Sequence, residues 1–276
     1  MSKKPNRTET YRETLSSLVR RAYECTDYEA LSVYLVANSN LPGPRGNLEL
    51  AHAFADVAVR ECAANPETLW NLAGELLRYS ADVAPANNAR EFLPFCAVCG
   101  LGQLGASFPS YFTKVANRLR QSAEDKRWRI REGVAWALQR MLASHAQKTL
   151  QTLETWVTPG SWLLMRAVAA AVAEPSLLHE PETARRALAL HRKVLAQVIA
   201  ASERRTPEFQ TLRQGLSYSL SVVVQALPRE GFGYLQELVG SRDRDVLQIV
   251  KANLGKKRLS NNFPNEAAAI ASRIRR

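Results

Sequence analysis

Apolar residues recur every three or four positions along nearly the whole chain, and that period admits one kind of regular structure. In "EDKRWRIREGVAWALQRML" (124–142), Ile130, Val134, Ala137, Leu138 and Met141 fall on one side of a helix turned 100° per residue. The same spacing returns from end to end, so a helical chain with essentially no strand is expected. Start signals punctuate it. Asn65-Pro66-Glu67, Glu180-Pro181-Glu182 and Thr206-Pro207-Glu208 each put proline at a first helical position, where its missing N–H costs nothing, with an acid at the positive dipole end. Thr26-Asp27-Tyr28-Glu29 spells a capping box, in which the Thr26 hydroxyl accepts from the Glu29 N–H and Glu29 reaches back. Only "LPGPRGN" (41–47) and "SADVAPANNARE" (80–91) read as loops. About fourteen helices are expected, and no linker separates independent domains, so residues 1–276 are taken as one domain.

Short helices in pairs, repeating at about 40 residues, are the pattern of a HEAT-like α-solenoid, in which stacking buries the face that one pair leaves open. The expected fold is therefore all-α, a curved solenoid of HEAT-like repeats; an irregular helical bundle is the competing architecture. The internal match lies between residues 124–138 and "SRDRDVLQIVKANL" (241–254). Each has Asp in a turn, then charged residues, then an apolar residue opening an amphipathic helix. Arg131 aligns with Lys251 after an insertion of two residues.

The net charge is +11, unevenly spread. Residues 111–150 carry nine basic and three acidic side chains, and residues 206–276 carry eleven and six, whereas residues 61–110 are net negative. Clustered positive charge is the footprint of a polyanionic partner, set against a solubility device or a basic tail made of Arg273, Arg275 and Arg276. A solenoid can bring both clusters onto one inner surface. No run of 18 apolar residues exists, so no membrane span is expected, and the N-terminus lacks the apolar core of a secretory signal. With four cysteines and no such signal, a reducing cytoplasm is the expected compartment.

On the helix of residues 128–142, Arg129, Gly133, Trp136 and Arg140 form a stripe apart from the apolar one, and Trp128, Glu132 and Gln139 form a third. An indole one turn from an arginine on either side offers a nucleic acid a stacking surface and two phosphate contacts. Packing of Trp136 on a neighbouring repeat is the competing reading. Lys251, Lys256, Lys257 and Arg258 lie at and just after the end of a late helix, denser than capping of its negative dipole end requires. With Arg129, Arg131, Trp136 and Arg140 they make up the expected nucleic-acid contacts. Arg45, in the Pro/Gly loop, reads as a turn residue.

"DKRWRIREGVAWALQRM" (125–141) resembles the Asp-x-x-Trp-x-Val-Arg-Glu repeat opening of HEAT-like proteins in the DNA alkylation repair superfamily. "FQTLRQGLSYSLSVVV" (209–224) and "DVLQIVKANLGKKRL" (245–259) resemble closing repeats of bacterial members. The resemblance covers about the second half of the chain and implies a HEAT-like fold. It also implies, as an alternative function, an alkylpurine DNA glycosylase. In such enzymes tryptophans shield the cationic lesion and a carboxylate stabilises the developing sugar cation or activates water. Trp128 and Glu132 have the spacing of that pair, with Glu where the family has Asp.

Other motifs are declined. "GLGQLG" (Gly100–Gly105) fits a dinucleotide fingerprint, but Pro109 falls where the required helix would run and no βαβ units follow, so its glycines read as helix-contact positions. Cys96 and Cys99 form a lone CxxC with no second pair for zinc; on a helix they are small apolar neighbours. His52, His145, His179 and His191 show no metal-ligand spacing, and His191, beside Arg192 and Lys193, reads as a surface residue. No metal and no nucleotide cofactor is expected. Three readings stay open: a non-catalytic binder of nucleic acid, the glycosylase, and a protein–protein scaffold.

Overall fold

The computed structural model describes residues 7–274, which are 76% helix with no strand among them. The chain is all-α, and no described helix is long and apolar enough to cross a membrane. Of the basic tail, Arg273 sits in the last helix, while Arg275 and Arg276 lie outside the described residues. The chain divides into two compact units, the first ending at His145 and the second beginning at Ala146.

The first unit contains α1 (Arg7–Glu24), α2 (Glu29–Ala37), α3 (Leu48–Glu61), α4 (Pro66–Leu76), α5 (Phe92–Ser107), α6 (Phe112–Ser122) and α7 (Trp128–Ser144). Its centre is α5. "FLPFCAVCGLGQLG" bears no charge and is apolar all round, and a helix of that kind must be covered on every side. Neighbours α3, α4, α6 and α7 cover it. The glycines of "GLGQLG" serve this packing, because a Cβ on Gly102 would stand 2.4 Å from the Ala137 Cα, so α5 and α7 touch backbone to backbone. Cys96 and Cys99 are buried in the same helix, and burial pushes both thiols up, which leaves them inert as nucleophiles. Helices α1, α3, α5 and α7 pack each on the next.

The predicted capping box is replaced by a different cap. Thr26 takes φ +53°, which carries its hydroxyl out of register, and the Asp27 carboxylate accepts the Glu29 N–H at 3.1 Å instead. Both predicted loops are irregular apart from a single 3₁₀ turn, Ala89–Glu91, that leads into α5.

The second unit contains α8 (Ala146–Glu154), α9 (Trp162–Ala171), α10 (Pro181–Ala200), α11 (Pro207–Ala226), α12 (Pro228–Gly240), α13 (Arg244–Leu254), α14 (Lys257–Ser260) and α15 (Pro264–Ile274). Prolines open α4, α10 and α11 as predicted, and also α12. Here α11 is central, packed by α9, α10, α12, α13 and α14. Phe209, Leu212, Leu216, Leu220 and Val223 form its buried face.

His191 corrects the surface expectation, for it is fully buried. It falls one turn from Ala187 and Val194 on the apolar side of α10, while its neighbours Arg192 and Lys193 point outward to Glu237 and Glu154. The Ala187 carbonyl, 3.0 Å from Nδ1, can only accept, so Nδ1 carries the proton and Nε2 accepts from the Ser219 hydroxyl at 2.9 Å. Burial brings its pKa down to about 4, so the ring is neutral.

Candidate nucleic-acid interface

The arginines at the start of α7 are occupied inside the first unit. Arg127 donates to the carbonyls of Tyr79 (2.8 Å) and Ala84 (3.0 Å) and pairs with Asp125 at 2.7 Å. Arg129 is 5% exposed, which corrects the expectation that it faces a partner. Its Nη1 meets Glu91 Oε2 at 3.0 Å, and its Nη2 donates to the Gly43 carbonyl (2.6 Å) and to Asn87 Oδ1 (3.3 Å). Arg131 donates to the carbonyls of Asp125 (2.7 Å) and Lys126 (3.0 Å). Arg127 and Arg129 thus hold down the two predicted loops, and Arg131 secures the turn that opens α7. Lys114 also pairs with Glu67 at 3.1 Å, so much of the charge excess in residues 111–150 has an internal use.

Trp136 is half-buried, stacked on His52 of α3 with centroids 4.3 Å apart and planes at 13°. The exposed Arg140 lies 4.7 Å from the indole centroid. Burial, and then the charge of Arg140, hold His52 below its ordinary pKa. The indole therefore has an arginine on one side of the predicted triplet and an internal imidazole in place of the other. Trp128 is 46% exposed, with the Arg129 guanidinium 4.5 Å from its centroid, and Glu132 is exposed on the surface of α7.

The C-terminal cations are arranged differently. Lys251 sits exposed in the last turn of α13, Lys256 caps α14, and Lys257 and Arg258 open that short helix, which follows directly on the helix end where these cations are expected. None of the four forms an ion pair with a carboxylate among the described residues. Two of them gather at Tyr218 of α11, a residue that is 51% exposed. Arg258 Nη2 donates to the Tyr218 hydroxyl at 2.6 Å, and Lys256 Nζ lies 5.6 Å from the ring centroid.

Tyr218 escaped the sequence reading. Its signal was available: Gln210, Gln214 and Tyr218 recur every four residues on the solvent side of α11, and an aromatic there buries little. Beside it Gln210, Arg213, Gln214 and Ser217 face Gln248 and Ala252 of α13 across a shallow groove of about 430 Å³. Arg213 is held by Asp245 (3.1 Å) and Gln248 (2.7 Å).

Asn253 fixes the two walls. Fully buried on α13, it donates to the carbonyls of Ile249 (2.7 Å) and Leu216 (2.8 Å) and accepts the Ser221 N–H at 2.7 Å. Its amide inserts into the backbone ladder of α11 on either side of Tyr218, a kind of insertion that sets the local course of a helix.

Among the described residues no group of three or more His, Cys, Asp or Glu is placed to hold a metal ion. Comparison with protein-family models, with curated proteins and with solved structures gave no match.

Proposed function

We propose that this chain is a non-catalytic binding protein of HEAT-like helical pairs whose ligand is nucleic acid, held by its phosphates. The observation that carries the reading is the set of cations at Lys251, Lys256, Lys257 and Arg258, which have no carboxylate partner among the described residues and two of which, Lys256 and Arg258, stand beside a half-exposed aromatic. Uncompensated charge costs a folded chain self-repulsion, and a polyanion relieves it. The successive packing of α1, α3, α5 and α7, and of α9, α11 and α13, supports the repeat reading within each unit. Arg140 beside Trp136 is a second contact of the same chemistry; Arg129 is removed from the interface by its burial.

The glycosylase alternative draws less support. An exposed Glu132 is screened by water, whereas stabilising a developing sugar cation calls for a dry site. The Arg129 guanidinium over Trp128 also repels the cationic base that the indole would shield. The test is fluorescence anisotropy with a labelled oligonucleotide at low salt. Wild type should bind, and Lys251→Glu combined with Lys257→Glu should weaken binding at least tenfold, while Arg185→Glu, an exposed control, changes it little. A parallel assay on methylated DNA should release no base. If wild type binds no oligonucleotide, a protein–protein scaffold becomes the better reading.

A further inference from the structure

We infer that the groove between α11 and α13 takes a single strand, with Tyr218 as the surface on which one base stacks and the groove amides as the groups that meet base edges. This rests on the nucleic-acid reading and narrows it to the state of the strand. A tyrosine that is 51% exposed on a polar helix face contributes little to the core. What it offers, beside the Arg258 guanidinium whose Cζ lies 4.8 Å from the ring centroid, is a flat aromatic surface, and a base can lie on such a surface only when it has left its own stack. A duplex presents phosphates outward and keeps base faces covered, so it would meet the cations and leave Tyr218 unused.

The surroundings fit a strand entering along one line. At the ring, Arg258 and Lys256 supply positive charge within reach of the phosphates that flank a stacked base, and the Arg258 bond to the hydroxyl holds the guanidinium there. Away from the ring the lining becomes more polar than cationic: Ser217, Gln214 and Gln210 on one wall with Arg213, whose charge is met by Asp245, and Gln248 on the other. A carboxamide both donates and accepts, which is what a base edge requires and a phosphate does not. Asn253 keeps the ring and the groove in fixed relation, because two of its hydrogen bonds, to Leu216 and Ser221, tie α13 to α11 on both sides of Tyr218. The ligand is therefore an unpaired nucleic-acid strand, recognised by its base faces as well as by its charge.

The experiment compares three labelled ligands of equal phosphate number with the full chain: a single strand, its duplex, and an abasic strand that keeps the sugar–phosphate chain but has no bases. The single strand should bind more tightly than the other two. Tyr218→Ala should weaken single-strand binding by on the order of tenfold and bring it to the abasic level, while abasic binding stays as in wild type. Tyr218→Phe, which keeps the ring, should lose less than about threefold, and that rescue separates stacking from any loss of fold. Equal binding of base-bearing and abasic strands, unmoved by Tyr218→Ala, would overturn the inference and leave phosphate binding in place. Failure to bind any of the three would overturn both.

Discussion

Arg129 meets one oxygen of a fully buried carboxylate, a backbone carbonyl and an amide oxygen at once, and its loss would leave Glu91 in the interior without a cation. Arg129→Met is expected to cost ~3–5 kcal/mol in urea unfolding, and Glu91→Gln added to it should recover part of that loss. An unchanged midpoint in the single variant would remove the clamp. His191 gives the residue scale a pH dependence. Its folded pKa, about 4, lies below the ordinary 6.5, so the unfolded chain takes up the proton first. Its contribution is complete above the unfolded value and falls away as pH drops through the window toward 4, by ~3 kcal/mol in all. His191→Leu should flatten that part of the stability profile, as read from unfolding midpoints at neutral and mildly acidic pH. The partners of neither residue were legible in sequence. The helical period places Arg129 outside the main apolar stripe, but its partners are 38, 42 and 86 residues away. His191 was misread from its charged neighbours, although its spacing to Ala187 and Val194 marked the apolar face.

At the scale of elements, the close crossing of α5 and α7 depends on Gly102. Gly102→Ala drives a Cβ into the Ala137 backbone and should destabilise by roughly 1–3 kcal/mol or more, since neither helix can yield by turning a side chain. Gly74, on α4 with nothing near its missing Cβ, is the opposite case, and Gly74→Ala should stabilise by about 1 kcal/mol through helix propensity. Thermal unfolding of the two variants side by side checks the sign of each. Asn253→Leu removes three hydrogen bonds and strands buried backbone groups of α11, so a loss of about 2–4 kcal/mol is expected. The elements themselves were readable, because proline and loop signals sit where the helices start and stop. The helical identity of "GLGQLG" followed from Pro109 and the absent βαβ context. The groove was not readable, since it needs the pairing of α11 with α13, and a helix's period gives its face but not its neighbour.

For the whole molecule, the period of the sequence carried the all-α character, and the charge count pointed to two basic regions. What a count cannot give is the destination of each charge. In residues 111–150 much of the excess is consumed by Glu67, Glu91 and backbone carbonyls, whereas Lys251, Lys256, Lys257 and Arg258 meet no carboxylate among the described residues. The proposal that these cations hold nucleic-acid phosphates is tested most directly by the salt dependence of affinity. Four neutralised phosphates on a single strand correspond to a log–log slope of about −3, or roughly a 50-fold loss of affinity between about 50 mM and 200 mM salt. Wild type should follow that slope, and Lys251→Glu with Lys257→Glu should bind more weakly and with a shallower one. An affinity that stays level across this range, or a slope unchanged by reversing those two charges, would contradict it.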